Sequence, residues 1–178
     1  MAIVHTAKQG KTLKALDIEI AVARYFNTRV NLIVPNISRG MGLHECDLLI
    51  ITKNNYAYEV EIKVSLSDLK KDVEKQHNHG MTVPKVFEGL IPVNDKIREL
   101  YFAIPNYLLK YQHYIPEQAG IITVEEGGRC ETIREAKIKS EYRFTDDEKF
   151  NVARLGTMRI WSLKSKLRER RDVVIQQV

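Results

Sequence analysis

Three residues near the middle of the chain, Asp47, Glu61 and Lys63, have the types and spacing of a hydrolytic metal centre. They fall in two strand-like runs, 45–52 (ECDLLIIT) and 56–64 (YAYEVEIKV), joined by the polar turn Lys53, Asn54, Asn55. Such a pattern signals a hairpin. Side chains alternate across a strand, so Glu59, Glu61 and Lys63 share one face, and Glu45 and Asp47 share a face with Leu49 and Ile51. With a loop of 53–55, residues whose numbers sum to 108 stand opposite one another, which predicts Asp47 directly across from Glu61. Two facing carboxylates repel unless a proton or a cation lies between them. Mg²⁺, with Mn²⁺ as its substitute, takes oxygen ligands and keeps waters, one of which can act as nucleophile. Lys63 points into the same space, where an ammonium can orient the attacking water, help deprotonate it, or offset charge building on a phosphate.

A plainer reading competes with this one. The run Glu59, Val60, Glu61, Ile62, Lys63 is also what a half-exposed strand with a salt-bridged face looks like. The preceding strand argues against it. Residues 47–51 (DLLII) are apolar on both faces after the acid, the mark of a central, covered strand. An acid at the start of such a strand, opposite another acid, needs a partner.

The elements that must position these groups can be read outward from the hairpin. The segment 12–27 (TLKALDIEIAVARYFN) has helical periodicity. In it Glu19 has Thr12, Ala15, Leu16, Val22, Ala23 and Phe26 at helical spacings, which predicts a place inside the apolar stripe. Asp17, near Lys14 and Arg24, reads as a surface charge. A core-facing Glu19 is costly unless it bonds something, and the metal centre is a candidate; the alternative is a stripe-edge acid reaching water. Residues 31–36 read as a strand ended by Pro35. Ser65 opens a second helix, with Asp68 at the capping-box position, running to about 78 and stopping at Gly80. The stretch 81–97, with two prolines, reads as loop. Strands are expected at 100–104, 119–124 and, after a Gly-Gly turn, 129–134. Thr145 with Glu148 starts a last helix running to about 170. The order implies an α/β sandwich, a mixed sheet with helices against its faces. No repeat or linker divides the chain, so 1–178 is expected to be one domain with a basic C-terminal helix at about 145–171.

Bulk properties bound the rest. Among 178 residues, 28 Lys and Arg against 23 Asp and Glu leave a net charge of +5 and a pI near 9.1. That suits a polyanionic partner without requiring one. Cys46 and Cys130 have no metal-binding spacing and call for no disulfide framework, so a reducing cytosol is the default compartment. The N-terminus lacks the apolar core of a secretion signal, and no apolar run is long enough to span a bilayer. The expectation is a soluble, cytoplasmic protein with no membrane partner.

An acid on the first helix, then Asp47, then Glu61, Ile62 and Lys63 leading into a helix, resembles the PD-(D/E)xK nuclease superfamily. The series CDLLIIT, YEVEIKVSLSDLKKD, LYFAIP and IPEQAGIITVEEGGRCETIREAK is similar, within that superfamily, to the MmcB-like DNA-repair proteins. The likeness covers about 12–136 and, more loosely, the basic C-terminal helix. It implies a restriction-endonuclease-like sandwich and a metal-dependent endonuclease that hydrolyses DNA phosphodiester bonds in repair or processing. Asp47 and Glu61 would bind Mg²⁺, with the Ile62 backbone carbonyl as a further ligand. Lys63 would be the catalytic lysine, and Glu19 the helix acid that holds a water beside the metal. Glu45 and Glu59 are reserve carboxylates. The sequence departs from the motif's name at Glu45 and Cys46, where a proline would precede Asp47. A non-cutting DNA-binding or repair-accessory module of the same fold, and an enzyme acting on RNA, are the rival readings.

Further features have a functional reading and a plain one. Lys70, Lys71, Lys75, Gln76 and His77 could line a phosphate backbone, or form a solvated face balanced by Asp68, Asp72 and Glu74. His77 and His79 are badly spaced for chelation on one helical face. Tyr56, Tyr58, Tyr107, Tyr111 and Tyr114 could stack on bases or pack in core and rim. In the last helix, Leu155, Ile160, Trp161, Leu163 and Leu167 are expected to dock on the body while Arg154, Arg159, Lys164, Lys166, Arg168, Arg170 and Arg171 face solvent or nucleic acid. The oligomeric state is open, a homodimer included.

Overall fold

The computed structural model describes residues 12–37, 43, 45–71 and 96–175. Helix α1 (Ala15–Tyr25) begins where the Asp17 carboxylate accepts the Lys14 backbone N–H at 2.9 Å. Asp17 is therefore a cap as well as a surface charge. The helix buries Ile18, Ala21 and Val22, whereas Ala15 and Leu16 are exposed. The apolar stripe is thus rotated from the expected one, and Glu19 sits half-buried at its margin, not inside it.

Strands β1 (Leu32–Ile37), β2 (Cys46–Ile51), β3 (Ala57–Ile62), β4 (Ile97–Pro105), β5 (Gly120–Val124) and β6 (Cys130–Arg134) form one sheet in sequence order. β3, β4 and β5 run parallel, and the outer pairings are antiparallel. Helix α2, described over 66–71, follows β3; Ser65 Oγ caps it by accepting the Asp68 N–H at 3.2 Å. The expected end of this helix near 78 and the loop at 81–95 lie outside the described residues. β4 starts three residues earlier than the sequence suggested. Its Ile97 joins the buried cluster with Leu49, Ile51 and Ala57, so packing overrides the local proline-rich context. A 3-10 segment, Asn106–Tyr114, follows Pro105 and was not foreseen.

The sheet is covered on both faces, as the apolar β2 required. α1 packs Ile18, Ala21 and Val22 against Leu48, Ile50, Val60, Ala103 and Ile122. On the other face, Val152 of helix α3 (Asp146–Ile175) joins Val34, Leu49 and Ile51, and Leu69 of α2 joins Leu100, Phe102 and Ile104. The protein is an α/β sandwich around a mixed six-stranded sheet.

Two local devices hold this frame. Gly120 lies so close to the Tyr101 ring that a Cβ there would stand 2.3 Å from it. α3 opens with a reciprocal box: Thr145 Oγ1 accepts the Glu148 N–H at 3.3 Å, and Glu148 Oε2 accepts the Thr145 N–H at 2.9 Å. Glu148 also accepts from Lys96 Nζ at 2.6 Å and from the Tyr142 hydroxyl. Burial pushes its carboxyl up, but these donors win and hold it at about 2. The start of α3 also clamps the β2–β3 turn. Asn55, in the left-handed region at φ 67°, accepts the Phe144 N–H on its carbonyl at 2.8 Å and the Lys149 ammonium on its side chain at 2.9 Å.

The far half of α3 corrects an expectation. Gly156 lies against Val34, and Arg159 donates to the Asn36 carbonyl at 2.8 Å. Beyond that point Ile160, Trp161, Leu163 and Leu167 do not dock: each is more than half exposed. Thirty helical residues extend about 45 Å, and the six-residue edge strand beneath gives only about 20 Å of support.

Candidate active site at the end of the parallel strands

The β2–β3 ladder has the expected register: in all four pairs, from Ile51↔Ala57 to Leu48↔Val60, the residue numbers sum to 108. Asp47 and Glu61 are the next positions on each strand. There the backbone ladder stops, and the Asp47 side chain takes over. Its Oδ2 accepts the Ile62 N–H at 2.8 Å, standing where a main-chain carbonyl would otherwise be. One residue on, the Lys63 N–H turns to the other neighbour and bonds the Ala103 carbonyl of β4 at 3.1 Å. β3 is therefore fixed from both sides where its candidate site residues stand.

Alternation sets the faces. Glu59 and Glu61 lie beside Leu100 and Phe102 of β4, on the side covered by α2. Both are buried, Glu59 to 1% exposure, and Lys63 Nζ meets Glu61 Oε2 at 3.1 Å. The two side chains are each 11% exposed, so the charges neutralise one another where water helps little. Glu45 is exposed, just ahead of β2. Glu19 comes from α1, on the opposite face of the sheet. Burial first, and then the Asp47 carboxylate, push its carboxyl above the usual range. Thus Asp47 at the strand ends lies between Glu19 on one side and the Glu61–Lys63 pair on the other.

The donor set bears on a metal. Among the described residues, no three His, Cys, Asp or Glu side chains form a group that could hold an ion. A hard divalent cation needs fewer protein ligands, since Mg²⁺ is commonly held by one or two carboxylates and keeps several waters. Asp47, Glu61 and the Ile62 carbonyl fit that smaller requirement, and the mutual repulsion of Glu19 and Asp47 is what a cation there would relieve.

Other expected contacts divide. Lys70 and Lys71 are exposed on α2, Lys70 with its ammonium 5.7 Å from the Tyr114 ring. Lys75, Gln76, His77 and His79 lie outside the described residues. Tyr58 packs with Phe26 and Tyr101 in the core. Tyr56 lies between the Arg98 and Arg143 guanidiniums, 4.1 and 4.6 Å from its ring centre. Sequence reasoning missed Asn106, Glu125 and Glu126, which stand where β4 and β5 end; the proline-terminated apolar run before Asn106 was the available signal.

No protein-family model and no curated protein matches the chain. A solved structure does: the SPO1766 protein of unknown function from Silicibacter pomeroyi, with a TM-score of 0.58 at 14% identity, over 90% of this chain and 96% of that one. At that identity the likeness speaks to the fold alone.

Proposed function

We propose that this chain is a divalent-metal-dependent endonuclease of the PD-(D/E)xK kind, hydrolysing DNA phosphodiester bonds in repair or processing. The observation that carries the reading is the strand-end arrangement: Asp47 locked to the Ile62 N–H, with Glu61 and Lys63 beside it on the partner strand. Bound between Asp47 and Glu61, Mg²⁺ would supply Lewis acidity to a phosphate oxygen and acidity to a water. The chain's own residues then have distinct tasks. Ile62 holds the Asp47 carboxylate in place through its backbone. Lys63 offers an ammonium to the charge that grows on the phosphate. Glu19 in its ionised form takes a proton from the attacking water, and burial with the Asp47 carboxylate nearby raises its affinity for that proton. Cys46 is buried and Cys130 half-buried; two cysteines with no metal-binding spacing call for no disulfide framework, and on that ground we assign the protein to the cytosol. Among the described residues no helix is long and apolar enough to cross a membrane.

The test is nicking of plasmid, single-stranded and branched DNA by pure protein with Mg²⁺ and with EDTA, beside Lys63→Ala. The variant should lose about a hundredfold or more in rate; equal rates would exclude this site. Matched RNA substrates check the choice of DNA.

One observation favours a second reading, a non-cutting DNA-binding module: Glu61 already has a cationic partner in Lys63. Calorimetry with Mn²⁺ separates the two, because the module would show no heat dependent on Asp47 and Glu61.

A further inference from the structure

A cavity of about 480 Å³ opens at the same sheet end, where β4 and β5 stop and the chain approaches α1. Its size is that of small-molecule sites, and its place, outside the carboxyl ends of parallel strands, is where α/β sheets bind ligands. Buried Leu13 and Val124 give it an apolar floor, and Asn106, Tyr107, Glu125 and Glu126 surround it. Among the described lining residues none is cationic and two are acidic; Arg129 pairs with Glu125, which leaves Glu126 to give the rim its negative charge.

Its chemistry fits the base of a nucleotide. The Tyr107 ring is half exposed, and its hydroxyl donates to the Val64 carbonyl at 3.0 Å. That bond fixes an aromatic surface to the residue following Lys63, and a fixed ring offers its face to a base. Glu125 is held by two bonds from Arg129, at 2.7 and 3.1 Å. Glu126 and Asn106 are exposed at the rim and present acceptors. β3 and β5 are two strand spacings apart, roughly 10 Å, which puts the cavity one or two nucleotides along from Lys63.

We propose that this cavity receives a single nucleobase, guanine in preference, from the strand whose phosphate lies at Lys63. Guanine's Watson–Crick edge carries two parallel donors, which a carboxylate accepts together; adenine and cytosine each offer one amino group there. The inference rests on the nuclease reading and deepens it: the bound strand is single or locally opened, with one base turned into the cavity.

The experiment reads binding without cleavage. Twelve-nucleotide thymidine oligomers carrying one central guanine, inosine, adenine or abasic position are titrated with the full chain in Ca²⁺, by fluorescence anisotropy. Guanine should bind at least fivefold tighter than the abasic oligomer, with inosine losing most of that gain. Glu126→Gln should bring guanine down to the adenine level, and Tyr107→Ala should bring every base down to the abasic level. Equal affinity for guanine and abasic oligomers, no binding at all, or discrimination untouched by both variants overturns the proposal. Discrimination without Mg²⁺-dependent cleavage would sink the nuclease reading and leave the base site standing. Cleavage without discrimination would do the reverse.

Discussion

The Asp47 carboxylate and the Ile62 backbone N–H, 2.8 Å apart, bond β2 to β3 beyond the Leu48–Val60 rung. The same carboxylate is thus a rung of the sheet and a candidate metal ligand, and the two roles can be separated. Asp47→Ala leaves a part-buried N–H without this acceptor and should cost about 1–3 kcal/mol. Asp47→Asn keeps an acceptor and should unfold within about 1 kcal/mol of the native chain, yet lose Mg²⁺-dependent cleavage. Urea denaturation beside a nicking assay checks both. Asn and Ala variants of equal stability would remove the structural role.

Glu19 predicts a gain in stability bought with function. Its carboxyl lies above the usual range because of burial and the Asp47 carboxylate. A group whose folded value is raised favours the folded state below its unfolded value and loses that contribution as pH rises through the folded one. Without metal, Glu19→Gln should therefore be the more stable protein at neutral pH, by a few tenths of a kcal/mol given its partial exposure, with the advantage gone in acid. Added Mg²⁺ should stabilise the native chain more than the variant. Melting curves at pH 4 and 7, with and without Mg²⁺, decide it.

Glu148 carries the opposite sign. Its carboxyl is held at about 2, below the unfolded value, so its contribution is present above about 4.5 and disappears as pH falls through about 2. Glu148→Gln should cost about 1–3 kcal/mol at pH 7, and the gap to the native chain should close on acidification. A gap that stays constant from pH 7 to 2 would contradict the Lys96 and Thr145 bonds as its source.

Gly120→Ala should destabilise by about 1–3 kcal/mol, because the added methyl meets the Tyr101 ring and the Ala136 backbone. Tyr101 cannot easily swing aside, since its hydroxyl lies 2.9 Å from both Glu99 and Glu135. Thermal denaturation measures this, and an unchanged midpoint would mean the ring has room to move.

The element order and the hairpin register were legible because both follow from short-range rules. A turn of known length fixes which numbers face each other, and strand alternation fixes the rest. The capping residues Ser65, Thr145 and Glu148 were equally plain. What escaped was set by partners distant in sequence. The stripe of α1 turned because Ile18 and Val22 meet Leu48 and Val60, which left Leu16 outside and Glu19 at the margin. Ile97 was read as loop because its strand neighbours lie some forty residues earlier. The far turns of α3 carry Ile160, Trp161, Leu163 and Leu167, but apolar residue types do not say where the sheet beneath ends. The cavity at Tyr107 was hidden for a related reason: its walls come from three separate chain segments.

The grip of α3 on Asn55 gives the β2–β3 turn an unusual evolutionary constraint. Surface turns commonly absorb insertions. Here one extra residue would have to break the Phe144 and Lys149 bonds or shift every rung out to Asp47. Length variation among natural descendants of this chain should therefore avoid that turn and collect elsewhere. A helix start roughly four rungs away serves as a gauge that keeps two acids in step.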